Sequence, residues 1–229
     1  LVKAVGIHNI VKESRSLSLK ERLLENKRWL EQGQREWEWL LKYGAKVTLL
    51  GDSNYPNSFY NLKHPPLMLT YLGEPTWLNS SVMAVVGSRR PNTLSETWLL
   101  EEFTNFLRKT PLAVVSGGAI GIDQLAHSVA LRLQRPTICF LPSGLRKPYP
   151  QNIKRWFEPI EEGCGAIVSQ FSPFAEIYKS NFYFRNALIV QLAQCVFVVE
   201  AQAKSGSMLT AQLALRTNKE IVTLPCAPA

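Results

Sequence analysis

Four short segments hold side chains that could do chemistry together. In Gly87-Ser88-Arg89-Arg90-Pro91 the glycine permits a tight turn, the serine offers a hydroxyl, and two guanidinium groups can fork onto phosphate oxygens. Solvated surface arginines are the plain alternative. Ser116-Gly117-Gly118-Ala119-Ile120-Gly121-Ile122-Asp123 is a glycine-rich turn into a helix, where small residues let backbone N–H groups approach an anion. Tight helix–strand packing would use the same Gly117, Gly118 and Gly121. The spacing is GGxxG, and no acid ends the next strand about twenty positions on, which argues against NAD. Asp123 and His127 lie four apart on one helix face, the spacing of a metal or acid–base pair. No HExxH motif or second Cys/His cluster accompanies them, so an orienting hydrogen bond or a helix cap is expected, with no metal and no catalytic residue.

The third segment, residues 178 to 186, mixes Lys179 and Arg185 with four rings and with Asn181 and Asn186. Alternating rings and cations suit single-stranded nucleic acid, where bases stack and phosphates meet Lys or Arg, although a core cluster would use the same rings. Here Lys179, Asn181 and Phe182 are expected in an exposed loop, and Phe184 at a buried helix start. The fourth segment, Glu200 to Met208, turns through Lys204-Ser205-Gly206-Ser207 into a helix. Ser205 or Ser207 can cap that helix. Capping does not explain a lysine beside the positive end of its dipole, which points to a bound anion.

These segments need elements to position them. From Ser81 onward, apolar runs at 82–86, 112–115, 137–141, 166–169, 195–200 and 220–224 alternate with helical patterns near 94–109, 122–134, 151–162, 184–194 and 208–217. Near-continuous apolar strands alternating with helices predict a parallel sheet covered on both faces, a doubly wound α/β fold. Ligands of such sheets collect beyond the carboxyl ends of the strands, where the four segments fall. Upstream, leucines and tryptophans at helical spacing in the first forty-odd residues predict two short helices. The polar, proline-rich stretch from Gly51 to Pro66 reads as a linker packed on the α/β region downstream of it.

The chain has 229 residues, 46% hydrophobic and 19% charged, enough to bury a core and too apolar for disorder. Its 26 basic and 18 acidic residues give +8, spread along the chain, which favours a polyanionic partner. The strongest apolar stretch, 187–203, is interrupted by Gln191, Gln194 and Glu200, so no membrane span is expected. Cys139, Cys164, Cys195 and Cys226 form no CxxC pair and read as reduced thiols of a cytoplasmic protein. Opening on Leu1 and stopping at Ala229, just past an expected strand, the sequence looks like a trimmed fragment.

In their order and separation, VVGSRRP, VVSGGAIGIDQLAH, FLPSGLRKPYPQN, FYFRNALIVQL and VVEAQAKSGSMLTAQLAL resemble the DNA-processing protein A (DprA/Smf) family, over about residues 46 to 226. The resemblance implies an extended Rossmann-like, mainly parallel sheet at 46–229. It also implies a small helical, SAM-like N-terminal domain at 1–45. The function it implies is binding of incoming single-stranded DNA in natural transformation, with protection from nucleases, loading of the RecA recombinase, homodimer formation and no catalysis or cofactor. Family positions carry over to Arg89, Gly117, Gly121, Asp123, His127, Lys179, Phe182, Arg185, Asn186 and Lys204 to Ser207. Departures stand at Gly118, Gln170, Ala187 and Leu188. The helix from Met208 to Arg216 is a candidate dimer face. The alternative is an enzyme acting on nucleoside monophosphates, like the LOG-type proteins, but their PGGxGTxxE glutamate has no counterpart in AKSGSMLTA.

Overall fold

The computed structural model describes residues 27–162 and 165–224. Contacts divide the chain between Tyr43 and Gly44. In the first unit α1 (Lys27–Lys42) ends on Lys42, whose charge complements the helix dipole. Glutamine-to-glutamate bonds one turn apart, Gln32 to Glu36 and Gln34 to Glu38, brace its surface. This helix runs unbroken through Gly33; the part of the two expected N-terminal helices before Lys27 lies outside the described residues, as do Cys164 and Cys226.

The second unit is built on one eight-stranded sheet. Its strands are β1 (Lys46–Leu49), β2 (Met68–Gly73), β3 (Val82–Val86), β4 (Ala113–Ser116), β5 (Thr137–Phe140), β6 (Ala166–Ser169), β7 (Cys195–Val198) and β8 (Glu220–Thr223), in spatial order β1-β2-β6-β5-β4-β3-β7-β8. All neighbours from β6 to β8 run parallel, and β1–β2 and β2–β6 run antiparallel. The fold is α/β, with a mainly parallel sheet flanked by helices, as the strand and helix pattern predicts.

Burial on both faces is visible along β3. Val82, Ala84 and Val86 join one core with Leu188, Ile189 and Val190, whereas Met83 and Val85 join another with Leu99, Phe103, Ile122 and Ala126. The second core is closed by α2 (Thr93–Trp98), a π turn (Leu99–Phe103), α3 (Thr104–Lys109) and α4 (Ile122–Arg132). The first is closed by α6 (Lys179–Leu192), with Ala214 of α7 (Gly206–Arg216). Between β5 and β6 a 3-10 turn (Gln151–Trp156) leads into α5 (Phe157–Glu162), where one continuous helix is expected from the sequence. The chain winds from β3 outward to β6 and then crosses back to place β7 on the other side of β3. That reversal opens a crevice beyond the strand ends.

Two expectations need correction. Residues 51–66 pack on the α/β region as expected, but as a plug between two strands of the same sheet rather than as a linker. Tyr55 and Phe59 are buried, Phe59 packs on Phe140 with ring centroids 6.0 Å apart, and Asn54 bonds Thr48 at 2.6 Å and Tyr71 at 3.1 Å. Flanking this plug, β1 and β2 extend the sheet past β6. Their mixed polar and apolar letters do not resemble the β-branched runs downstream. The second correction concerns α6, which begins at Lys179 rather than 184, so Lys179, Asn181 and Phe182 lie on a helix. Tyr178 stays extended just ahead of it at φ −124, ψ 157.

Candidate nucleic-acid interface

The crevice at the reversal holds a cavity of about 530 Å³. From the turn after β3 come Ser88, Arg89 and Arg90; from α6 come Phe182, Arg185 and Asn186; from the start of α7 come Ser205, Gly206 and Ser207. A smaller cavity of about 40 Å³ adjoins it, sharing Arg89, Phe182 and Arg185 and adding Gly117, Ile120 and Tyr149.

Several bonds hold the arginine turn. Ser88 accepts from the Ile122 N–H through its carbonyl at 3.1 Å and from the Arg90 N–H through its hydroxyl at 3.1 Å. Ser207 donates its hydroxyl to the Gly87 carbonyl at 2.6 Å, and the Asn92 N–H donates to the Glu200 carboxylate at 2.9 Å. Gly121, at φ +91, faces the Ser88 carbonyl so closely that a Cβ there would collide with backbone. Arg89 and Arg90 are thus exposed cations on a fixed backbone.

The glycine turn is organised differently from the anion cradle its composition suggests. The N–H groups of Gly117 and Ala119 donate to the Asp123 side-chain oxygen at 3.2 and 3.3 Å, so these amides are already engaged within the chain. Gly117 is required because Arg185 lies against its Cα, where any side chain would sit; Gly118, at φ +68, lies over Cys139 and Ile153. Asp123 therefore orients the turn it follows and does not cap α4, whose N-cap is Gly121 without a side-chain bond.

Beneath the cavity lies a buried group of titratable side chains. Burial raises the Asp123 pKa, with Arg185 and the two loop amides opposing it, and burial lowers that of Arg185. His127 is fully buried, bonds Thr137 through Nδ1 at 2.7 Å, and is pushed down to about 3 by burial and then by Arg185. Its Nε2 has no partner. The Cys139 thiol is pushed up to about 12 by burial. Cys139 and Cys195 are both free, Cys139 buried and Cys195 half-buried. Among the described residues no three His, Cys, Asp or Glu side chains gather as metal ligands.

Arg185 links this floor to the cavity. It is 5% exposed, donates to the Phe140 carbonyl at 3.4 Å, and leaves Nε without a partner. Its guanidinium and that of Arg89 each lie 5.9 Å from the Phe182 ring centre, within cation–π range. Tyr149 meets the same ring edge-on at 5.6 Å. Also lining the larger cavity, Ser205 caps α7 by accepting from the Met208 N–H at 3.2 Å. The open N–H groups of the first turn and the helix dipole favour an anion at that end.

Arg89 and Phe182 are therefore brought together, whereas Lys179 and Lys204 are exposed and line neither cavity. Gly118, Gly121 and Asn181 also line neither. Asn181, expected in the open, is buried and donates to the Pro142 carbonyl at 3.0 Å; Phe182 is half-buried; Phe184, expected inside, is 50% exposed. The early start of α6 rotates each of these side chains to a different face. Tyr149 and Ile120 are wall residues that lie inside the family-like motifs but are not among the candidate site residues read from the sequence. The Pro148-Tyr149-Pro150 run was the available signal, since prolines on both sides restrict the backbone that carries the ring.

Fold and site together define a Rossmann-like domain with a cationic, ring-lined cavity where its strand order reverses. The family described as DNA recombination-mediator protein A matches residues 46–229, and the chain belongs to that family. Protein Smf of Escherichia coli is 36% identical over 171 residues, covering 75% of this chain and 46% of that protein. The DNA processing protein DprA of Streptococcus pneumoniae is 31% identical over 177 residues, covering 76% and 61%. The chain thus spans about half the length of the curated relatives it matches. The solved structure of the Streptococcus pneumoniae protein superposes with a TM-score of 0.73 at 30% identity, covering 80% of this chain and 63% of that one. DNA processing protein A of Helicobacter pylori, described for its single-stranded DNA binding mode, superposes with a TM-score of 0.68 at 32% identity, covering 80% and 82%.

Proposed function

We propose that this chain binds single-stranded DNA without catalysing a reaction on it. The observation that carries the reading is the convergence of Arg89, Arg90 and Arg185 with Phe182 and the start of α7 on one cavity. Guanidinium groups and a helix N-terminus meet phosphates, rings meet bases, and a single strand offers both without unpairing a duplex. Membership of a family whose Helicobacter relative is described by its single-stranded DNA binding supports the same reading. The acids beside the cavity, Asp123 and Glu200, are engaged by backbone N–H groups, which favours binding over acid–base chemistry.

In this proposal the bound strand is DNA entering by natural transformation, kept from nucleases and passed to the RecA recombinase by a homodimer in the cytoplasm. No described helix is long and apolar enough to cross a membrane. Fluorescence anisotropy with oligo-dT and a matching duplex, over a range of salt, tests the binding step. Three to four neutralised phosphates give a slope of log affinity on log salt of about −2 to −3, at roughly −0.7 each. Equal affinity for duplex, or no salt dependence, would overturn it.

A further inference from the structure

Beyond Tyr149 the chain carries a second polar group that lines neither cavity. The 3-10 turn Gln151–Trp156 brings Asn152 and Arg155 to the first turn of α4, where Gln124 joins them. Gln124 is 5% exposed; its Nε2 donates to the Gly118 carbonyl at 3.0 Å and to Asn152 Oδ1 at 3.2 Å. Its Oε1 accepts from Arg155 Nη2 at 3.0 Å and from Asn152 Nδ2 at 3.4 Å. Arg155 also lies 5.2 Å from the Trp156 ring centre.

A guanidinium held by a buried amide and a ring has already lost much of its rotamer freedom, so binding to it orders less than binding to a loose lysine. Yet Arg155 is exposed, and no described carboxylate forms an ion pair with it. Its fork retains N–H donors beyond the one that Gln124 accepts. Both ends of the network touch the cavity wall. Gly118 sits between Gly117 and Ala119, which line the cavities, and the turn follows directly from Tyr149 and Pro150.

We propose that Asn152 and Arg155 form a phosphate-binding shelf that extends the cavity, with Gln124 as its positioning residue. The occupant is the part of a single-stranded polynucleotide that leaves the cavity past Tyr149. This rests on the DNA-binding reading above, and it places the strand across the sheet's carboxyl edge, from α7 toward the β5–α5 segment.

The test uses the full chain and two oligo-dT lengths, about four and about fifteen nucleotides, bracketing the site sizes of single-strand binders. Arg155→Gln is expected to weaken the long oligonucleotide roughly 3- to 10-fold, to make its salt slope shallower by about 0.7, and to leave the short one unchanged. Arg155→Lys restores the slope but not the full affinity. Arg89→Ala weakens both lengths. If Arg155→Gln changes neither length, or both equally, the shelf is overturned, while an intact Arg89 effect still upholds the cavity. Loss of the Arg89 effect as well would bring down the DNA-binding reading itself.

Discussion

Arg89 and Arg185 face the same ring from different depths, and their removal has different consequences. Arg89 is exposed, so Arg89→Ala removes a cation without opening a void. Oligonucleotide affinity falls roughly tenfold and the salt slope shallows by about 0.7, with the melting temperature unchanged. Arg185→Ala takes away the cation nearest a buried Asp123 carboxylate and empties the space above Gly117; a stability loss of about 3 kcal/mol accompanies the loss of binding, visible in denaturant titration. His127 sets an acid limit. Its pKa is about 3 folded against an ordinary 6.5, so between those values the unfolded chain binds more protons. The stability it contributes is complete above pH 6.5 and is lost as pH falls toward 3, at up to about 1.4 kcal/mol per unit. His127→Gln flattens that limb of a plot of melting temperature against pH. Local motifs made Arg89 legible, because it sits in a short turn between a strand and a helix, and they flagged Phe182 as a ring beside cations although its expected loop is a helix. They hid the burial of Arg185, which depends on a glycine 68 positions away.

At the scale of elements, the turn after β3 is held by its neighbours rather than by its own letters. Glu200, two residues past β7, accepts from the Asn92 N–H, and Asn92 in turn caps α2 by accepting from the Ser95 N–H at 2.8 Å. One carboxylate thereby fixes both the exit of the arginine turn and the start of a helix. Glu200→Gln keeps an acceptor there and is expected to bind DNA as the natural chain does. Glu200→Ala leaves that exposed amide to water, frees the arginine turn to move, and lowers affinity about 5- to 10-fold at a stability cost of about 0.5 kcal/mol. Equal binding by both variants would remove Glu200 from any positioning role. The five apolar runs from Val82 to Glu200 were legible as strands because two-sided burial demands nearly uninterrupted apolar letters, and the exposed edge strand β8 was legible from its β-branched Ile221-Val222-Thr223. The start of α6 was not, since Lys179-Ser180-Asn181 reads as polar loop until the Pro142 carbonyl is there to take Asn181.

For the molecule as a whole, the six parallel strands of the sheet were readable and its two-stranded antiparallel extension was not. The parallel strands carry near-continuous apolar letters, whereas β1 and β2 mix polar and apolar ones, and nothing local shows that Thr70 pairs with Ser169. What holds the extension is a plug of Tyr55, Phe59 and Trp77: the Tyr55 hydroxyl donates to the Pro66 carbonyl at 2.7 Å, the Trp77 indole donates to the Asn54 carbonyl at 3.1 Å, and Phe59 rests on Phe140 of β5. Phe140 also supplies the carbonyl that Arg185 meets, so the plug and the cavity floor share a strand. A linker could be cut away without harm; this segment could not. A chain beginning at Ser81 would expose the β6 edge and uncover Phe140, and is expected to aggregate or to lose cooperative unfolding in calorimetry. Phe59→Ala is the milder test, with an expected cost of about 3 to 4 kcal/mol. If the shortened chain instead melted cooperatively and bound oligo-dT unchanged, residues 46–80 would be an accessory to the fold, and the cavity would stand on the parallel strands alone.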